Sequence, residues 1–303
     1  KHKVIELENE IAVIIAALGS SLVGSRVMCG TSGGGFDLMT EGLSMAGQAE
    51  IPIVIYLSSR PGPSTGLATY SSQGDLNLAL YSGHGEFNRV VIAPGDVIES
   101  VESTNQAFYL SQKFKVPVII LGDKHLAESK SIAYGKEKLI EIKNSITKPE
   151  RFNSYEHDER GNATEEARLT VNNFNKRMKI GKELAREAEN FNGFKVYGNK
   201  NSKNFVISWG STKGAILDAL EEGKIDTKFL QIVYIEPFSD KIKAELKKAE
   251  KILIVENNAT SQLSQLLAQK IGLVIEDKNK ILRYDGRPFF SDELAEEIKQ
   301  RLR

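Results

Sequence analysis

A carboxylate and a guanidinium are the side chains of this sequence that are best placed to do chemistry. Glu10 stands directly before residues 11–18, a run that is apolar on nearly every side and therefore predicts a buried helix. Its carboxylate either complements the helix dipole or faces a cleft between solvent and core. Arg60 is the only charge in the loop 58–66, where its planar fork could clamp a carboxylate or simply be a solvated side chain.

A glycine-rich stretch could bring the backbone close to a ligand. The short apolar run 27–29 leads into Thr31, Ser32 and three glycines at 33–35, and the pattern predicts a helix over 37–47. Glycine has no side chain, so it lets the backbone approach a ligand closely and adopt a positive φ. The spacing matches neither the dinucleotide fingerprint nor the P-loop. The predicted turn therefore either faces a ligand, which need not be a phosphate, or is a ligand-free connection.

Two further stretches contain residues that could ligate or catalyse. His84 lies between two glycines and is sterically open, as a catalyst or as a plain turn residue. Residues 154–162 place His157 among several acids, which resembles a metal-ligand cluster. The acids are contiguous, however, and no second histidine is near, so a surface loop or a subunit contact fits better than a metal site. We predict no metal ligands in this chain.

Strand-like and helical patterns alternate along most of the chain. Strand-like runs at 3–8, 51–57, 90–93 and 116–121 are separated by helical patterns. A second series begins near residue 204 and includes strand-like runs at 229–235 and 273–275. This alternation predicts an α/β fold with two doubly wound, mostly parallel-sheet domains, whose ligand loops follow the carboxyl ends of strands. The predicted segments are residues 1–135, a charged linker with a long helix at 136–203, and residues 204–303.

The overall composition excludes several classes of function. The 303 residues carry 40 basic and 40 acidic side chains, so no global field attracts nucleic acid or an anionic membrane. No apolar run reaches the roughly 20 residues that a membrane span needs. The single cysteine, Cys29, excludes an internal disulfide or cysteine cluster. We expect a cytoplasmic protein, and because the chain begins at Lys1 we expect it to continue a longer polypeptide.

Together these motifs resemble a known family. Residues 4–135 look like the pyrimidine-binding domain in the α subunit of 2-oxoacid:ferredoxin oxidoreductases, and residues 204–303 look like its transketolase-C-terminal-like domain. The matching motifs occur in the family's order, and 156–161 is similar to another family signature. They are Glu8-Asn9-Glu10, Thr31-Ser32-Gly33-Gly34-Gly35-Phe36, Arg60-Pro61-Gly62-Pro63-Ser64-Thr65-Gly66, Gln73-Gly74-Asp75 and Gly83-His84-Gly85-Glu86-Phe87.

The resemblance implies a thiamine-diphosphate-binding fold and a specific activity. That activity is the coenzyme A-dependent oxidative decarboxylation of a 2-oxoacid, such as pyruvate or 2-oxoglutarate, to acyl-CoA and carbon dioxide with reduction of ferredoxin. The implied cofactors are thiamine diphosphate, shared with a partner subunit, and Mg²⁺ and a [4Fe-4S] cluster in that partner. Coenzyme A is the co-substrate.

The resemblance also implies roles for individual residues. Glu10 is the carboxylate that hydrogen-bonds the pyrimidine nitrogen, and Arg60 binds the substrate carboxylate. The stretch from Thr31 and Ser32 through Gly33, Gly34 and Gly35 to Phe36 lies close to the pyrimidine. Further site candidates are Ser64 and Thr65 in the loop after Arg60, and His84.

Several parts that the family uses are missing from this sequence. There is no Tyr-Pro-Ile-Thr-Pro-Ser-Ser-type loop, no Gly-Asp-Gly motif for the diphosphate and Mg²⁺, and no set of cluster cysteines. The resemblance therefore implies a β-type partner, in a heterodimer or a pair of them, and we expect no turnover by this chain alone. The alternatives are a non-catalytic assembly subunit, a thiamine-dependent dehydrogenase or transketolase of another branch, and a flavodoxin-like binding domain.

Overall fold

The computed structural model describes residues 3–132, 139–146 and 153–303. Two five-stranded sheets, each mostly parallel, organise these residues. The predicted α/β class with two mostly parallel sheets is confirmed. The boundary placed between residues 135 and 136 lies outside the described residues.

The first sheet is built mainly from the N-terminal part of the chain. Its strands are ordered β1-β2-β4-β3-β8, in which β1 to β4 are parallel and β8 pairs antiparallel with β3. The strands are β1 (Met28–Ser32), β2 (Ile53–Ser59), β3 (Val90–Ile92), β4 (Pro117–Asp123) and β8 (Tyr234–Glu236). Its helices are α1 (Glu10–Leu22), α2 (Gly33–Gln48), α3 (Leu76–Tyr81), α4 (Val97–Phe114), α5 (Lys124–Glu128) and α6 (Ala167–Ala188).

The second sheet is built from the C-terminal part of the chain. Its strands are ordered β10-β9-β6-β7-β5, and β5 pairs antiparallel with β7. The strands are β5 (Phe194–Gly198), β6 (Asn204–Trp209), β7 (Lys228–Ile232), β9 (Lys251–Glu256) and β10 (Lys280–Leu282). Its helices are α7 (Thr212–Glu222), α8 (Asp240–Leu246), α9 (Gln262–Ile271) and α10 (Ser291–Leu302).

The two sheet units share one core and a buried ionic contact. A single cluster of buried apolar side chains joins residues of the first unit, such as Phe36 and Leu57, to residues of the second, such as Ile232. Glu99 of α4 accepts hydrogen bonds from Lys213 Nζ at 2.6 Å and Gln231 Nε2 at 2.7 Å, both in the second unit. The units therefore pack through matched polar groups as well as apolar area.

Four predicted elements differ from the structure. The strand-like start, residues 3–8, is not a strand. No strand forms over 273–275, and the edge strand of the second sheet is β10, which begins at Lys280. The run 229–235 divides into β7 and β8, which lie in different sheets. The helix predicted to begin at residue 37 begins at Gly33. The glycines are thus the first turn of α2 rather than a loop.

The long helix of the predicted linker, α6, packs against the first sheet. Helix α6 buries Leu184 and Ala188 in the cluster formed by β3, β4 and α4. Strand β5 falls within the predicted linker and belongs to the second sheet. Each segment boundary stays a prediction. None of the helices in the described part of the chain combines the length and apolar composition that a bilayer span requires.

The acidic turn 154–162 has structural partners. Glu156 Oε1 lies 2.5 Å from Nη2 of Arg177, which is buried in α6. Asp158 accepts hydrogen bonds from the backbone amides of Arg160 and Asn162. Among the described residues, no group of three His, Cys, Asp or Glu side chains could hold a metal ion.

Candidate active site

The carboxyl ends of β1 and β2 and the first turn of α2 lie at one edge of the first sheet, and several of the predicted site residues lie there. Strand β1 ends at Ser32, which is the residue before α2, and β2 ends at Ser59, immediately before Arg60. Ser32 and Ser58 are paired in the register of these two parallel strands. In parallel α/β sheets this edge is where ligands bind.

Glu10 is held beside this edge by the start of α1. The Asn9 side chain caps the helix by accepting a hydrogen bond from the Ala12 amide at 2.9 Å, which fixes where the helix begins. Ile14 and Leu18 of α1 are buried in the core, so the helix cannot shift without losing that packing. Glu10, its first residue, is half-buried.

The Glu10 carboxylate lies against the backbone of α2. Thr31 Oγ1 donates a hydrogen bond to Glu10 Oε1 at 3.2 Å. A Cβ atom added to Gly35 would lie 2.1 Å from Thr31 Oγ1 and 2.3 Å from Glu10 Oε1. No side chain fits there without displacing both groups, so glycine is what lets the Glu10 carboxylate come this close to α2. The backbone of Gly35 itself is helical.

Arg60 begins the loop that follows β2. Its Nε atom is buried and has no hydrogen-bond partner among the described residues. Its guanidinium group also makes no ion pair within 4.0 Å with any residue that the structure describes. The loop closes through a 3.0 Å hydrogen bond from the Leu67 amide to the Pro61 carbonyl. A Cβ on Gly66, at φ +50°, would lie 1.9 Å from that carbonyl oxygen, so this position needs glycine.

Asp75 completes the edge, and sequence reasoning gave it no role beyond its place in the Gln73-Gly74-Asp75 motif. A Cβ on Gly33 would lie 2.8 Å from Asp75 Oδ2, so this carboxyl group packs against the first turn of α2. Burial raises the pKa of Asp75, and the nearby Ser59 hydroxyl and Arg60 act in the opposite direction. Within the described part of the chain, Asp75 Oδ2 and Ser59 Oγ are nevertheless buried without a hydrogen bond of normal geometry.

The remaining predicted residues occupy different surroundings. Phe36 is fully buried in the core. Ser64 and Thr65 are exposed. The carbonyl oxygen of Ser64 would lie 3.9 Å from a Cβ atom added to Gly34. His84 Nε2 is 3.2 Å from Glu41 Oε2, and its backbone amide donates to Ser44 Oγ. Glu41 is six residues after Gly35 in α2, about 9 Å along the helix axis. The contact between His84 and Glu41 is therefore separate from the contact between Glu10 and Gly35.

The sequence matches a known family over a range that includes this site. Residues 1–196, of 303, match the family described as pyruvate flavodoxin/ferredoxin oxidoreductase, thiamine diP-bdg. The chain belongs to this family. The resemblance drawn from the motifs is thereby confirmed, and the matched residues include every candidate site residue named above.

Relatives of the same family match nearly the whole chain. The alpha subunit of 2-oxoacid:ferredoxin oxidoreductase 1 from Sulfurisphaera tokodaii is 36% identical over 325 residues, covering 97% of this chain and 52% of the relative. The corresponding alpha subunit from Saccharolobus solfataricus is 38% identical and covers 98% and 52%. The 2-oxoglutarate synthase subunit KorA of Archaeoglobus fulgidus is 33% identical over 265 residues, covering 84% and 75%.

A solved structure shares the fold. The 2-oxoglutarate:ferredoxin oxidoreductase from Magnetococcus marinus, solved with 2-oxoglutarate, coenzyme A and succinyl-CoA bound, superposes with a TM-score of 0.83 at 24% identity. The match covers 99% of this chain and 57% of that chain. The chain thus spans about half the length of the first relatives it matches.

Proposed function

We propose that this chain is the α-subunit part of a 2-oxoacid:ferredoxin oxidoreductase and supplies the activating carboxylate and the substrate-carboxylate site. The reaction is the coenzyme A-dependent oxidative decarboxylation of a 2-oxoacid to acyl-CoA and carbon dioxide, with the electrons passing to ferredoxin. The observation that carries the proposal is the Glu10 carboxylate, held by Thr31 and pressed against Gly35 at the carboxyl edge of the first sheet.

The residues present fit thiamine diphosphate. The cradle has a half-buried carboxylate with one hydrogen-bond donor, Thr31, and a glycine turn that presents backbone instead of side chains. Glu10 would accept a hydrogen bond from the pyrimidine ring, and the backbone at Gly34 would lie along it. When bound, the coenzyme supplies the electron sink for decarboxylation. Thr31 keeps the Glu10 carboxylate directed toward the ring position.

Arg60 fits a 2-oxoacid carboxylate. Its buried Nε lacks a partner in the described part of the chain, and a desolvated donor without an acceptor costs free energy that an incoming carboxylate would recover. A bidentate contact from its planar fork would orient the acid with its keto carbon toward the coenzyme. The proposed substrates are pyruvate, 2-oxoglutarate or a similar 2-oxoacid.

The other cofactors are proposed to lie on a partner subunit. Cys29, the one cysteine in the sequence, is buried in the core, and burial raises the pKa of its thiol to about 12. A buried neutral thiol is not a cluster ligand, and a [4Fe-4S] cluster needs four thiolates. We therefore assign the cluster, Mg²⁺ and the diphosphate contacts to a β-type subunit, in a heterodimer or a pair of heterodimers, that meets this chain at the cleft. Ferredoxin is the proposed electron acceptor.

The decisive experiment replaces Glu10 in the full-length polypeptide, assembled with its partner subunit. Glu10→Gln keeps the shape but removes the strong acceptor, so decarboxylation of the 2-oxoacid should fall about a hundredfold or more. Glu8→Gln, at an exposed position two residues earlier, is the control and should retain full activity. Activity of Glu10→Gln within about threefold of wild type would instead favour a non-catalytic assembly subunit.

A further inference from the structure

Most of the loop that begins at Arg60 is exposed. We call residues 60–70 the Arg60 loop, and residues 62–69 within it are all exposed. The Leu67 amide donates a hydrogen bond to the Pro61 carbonyl at 3.0 Å, and the Tyr70 amide donates to the Leu67 carbonyl at 3.1 Å. Leu67 therefore links the start of the loop to its end. An exposed loop opens at little cost in free energy unless the rest of the protein holds it at such a point.

The second unit contacts the end of this loop through the connection between β10 and α10. A Cβ atom added to Gly286 in this connection would lie 3.0 Å from Leu67 Cδ1 and 3.1 Å from Tyr70 Cβ. Both side chains therefore lie against the backbone of Gly286. The Gly286 carbonyl also accepts a hydrogen bond from the Ser71 amide at 3.1 Å. The end of the loop is thus held by packing and by a backbone hydrogen bond.

A cation–π contact adds to this packing, and it comes from an anchored part of the second unit. Cζ of the exposed Arg287 lies 4.0 Å from the centre of the Tyr70 ring. The Arg287 carbonyl accepts a hydrogen bond from Asn257 Nδ2 at 2.7 Å. Asn257 is buried and directly follows β9. The backbone at Arg287 is therefore fixed to the second sheet, while its side chain reaches the Arg60 loop.

The part of the loop that these contacts hold lies directly at the candidate site. Pro61 follows Arg60 in the chain, and its carbonyl is the acceptor for the Leu67 amide. The Ser64 carbonyl oxygen would lie 3.9 Å from a Cβ atom added to Gly34, in the first turn of α2. The loop therefore extends from the site, where it begins, to the second unit, where it is held.

We propose that Gly286 and Arg287 position the Arg60 loop over the site by holding it at Leu67 and Tyr70. Tyr70 and Arg287 are positioning residues in this arrangement, because they act on the site through the backbone of the loop. The effect on a 2-oxoacid rests on the proposed function. The hold on the loop does not, since it consists of contacts within this chain.

The physical benefit is that the loop is ordered before the substrate binds. A free loop loses backbone freedom when it closes on a ligand, and a loop that is held in advance avoids part of that cost. The effect falls on substrate binding, because Glu10 is held through other contacts, which involve Asn9, Thr31 and Gly35. Releasing the loop should therefore raise KM for the 2-oxoacid and change kcat much less.

The kinetic test uses the full-length polypeptide assembled with its partner subunit. Tyr70→Ala removes the packing on Gly286 and the contact with Arg287, so KM for the 2-oxoacid should rise about threefold to tenfold. Tyr70→Phe keeps the ring and should leave KM within about twofold of wild type. Tyr284→Ala removes a side chain of the same connection that is 71% exposed, and as the matched control it should leave KM unchanged. In all three variants kcat should stay within about twofold of wild type.

A double-mutant cycle tests whether Tyr70 and Arg287 act through their mutual contact. Arg287→Ala alone removes an exposed cation–π contact, so KM for the 2-oxoacid should rise about twofold to fivefold. In the Tyr70→Ala background the same substitution should raise KM little further, because the contact is already lost.

Hydrogen–deuterium exchange gives a readout that does not need turnover. Arg287→Ala and Tyr284→Ala both leave the sequence of residues 60–71 unchanged, so the same peptides can be compared with wild type. The amides of Leu67, Tyr70 and Ser71 donate the hydrogen bonds of the loop and its end, and they should exchange faster in Arg287→Ala than in wild type or Tyr284→Ala. Faster exchange together with the raised KM supports the proposal.

Two results would overturn the proposal. One is unchanged exchange over residues 60–71 in Arg287→Ala, and the other is fully additive effects of Tyr70→Ala and Arg287→Ala on KM. Arg60→Ala separates the proposal from the proposed function. If Arg60→Ala leaves KM for the 2-oxoacid unchanged, the substrate role of Arg60 fails, while the exchange result still decides whether the second unit holds the loop.

Discussion

Gly35 offers the sharpest test of how the carboxylate is held. A methyl group at this position would lie 2.3 Å from Glu10 Oε1 and 2.1 Å from Thr31 Oγ1. Ordinary contact between such atoms is about 3.5 Å, so the carboxylate has to move by about 1 Å. A displacement of about 1 Å at a reacting group can cost about a hundredfold in rate, and we expect that loss of kcat/KM in Gly35→Ala.

Stability should change far less than activity in this variant. Gly35 has helical φ and ψ, and alanine in a helix is favoured over glycine by about 1 kcal/mol. Overpacking costs about 1–3 kcal/mol, and a half-buried glutamate beside the clash can swing toward solvent, which places the cost at the lower end. The two effects nearly cancel, so the free energy of unfolding should stay within about 1 kcal/mol of wild type.

The assay combines urea unfolding of the chain with turnover of the complete enzyme. Gly19→Ala is the control, because Gly19 is an exposed residue of α1 and a Cβ there meets no atom of the described residues within 4 Å. It should gain up to about 1 kcal/mol of stability with unchanged activity. If Gly35→Ala retains more than about a third of wild-type activity, the precise position of the Glu10 carboxylate is not what catalysis depends on, and our reasoning about this cradle is wrong.

Two further predictions concern the coenzyme cradle and the contact between units. Among the described residues, a Cβ at position 34 meets only the Ser64 carbonyl oxygen, at 3.9 Å, so Gly34→Ala should stabilise the coenzyme-free chain by up to about 1 kcal/mol in urea unfolding. It should also weaken thiamine diphosphate binding, as titration calorimetry of the wild-type and variant proteins would show. Burial opposes ionisation of Glu99, but hydrogen bonds from Lys213, Gly95 and Gln231 outweigh it and lower the pKa of Glu99 from 4.5 to about 2. The stability that this lowered pKa contributes is present above pH 4.5 and is lost as the pH falls toward 2. In urea unfolding, Glu99→Gln should therefore lower the free energy of unfolding by about 3 kcal/mol at pH 7. The difference from wild type should shrink progressively below pH 4.5.

The position of Glu10 could be predicted from the sequence because the evidence for it is local. Asn9 is a strong capping residue, and an apolar run follows, so the start of α1 and its burial can both be read from consecutive residues. The β1–α2 unit was predicted with the wrong boundary. Glycine is a poor helix former, and three in succession favour a loop. In the structure they form the first turn of α2, where Gly33 lies against Asp75 and Gly35 lies against Glu10. Glu10 and Asp75 are distant from these glycines in the chain, so no local sequence pattern shows the contacts.

The antiparallel edge strands could not be predicted for a related reason. Strands β7 and β8 are separated by a single residue, Val233, and residues 229–235 form one apolar run that only Gln231 interrupts. Periodicity reports burial, and it does not say which sheet receives a strand. Strand β5 is half-buried and follows a charged helix, which made it resemble part of the linker. These assignments depend on pairing partners that are distant in the chain.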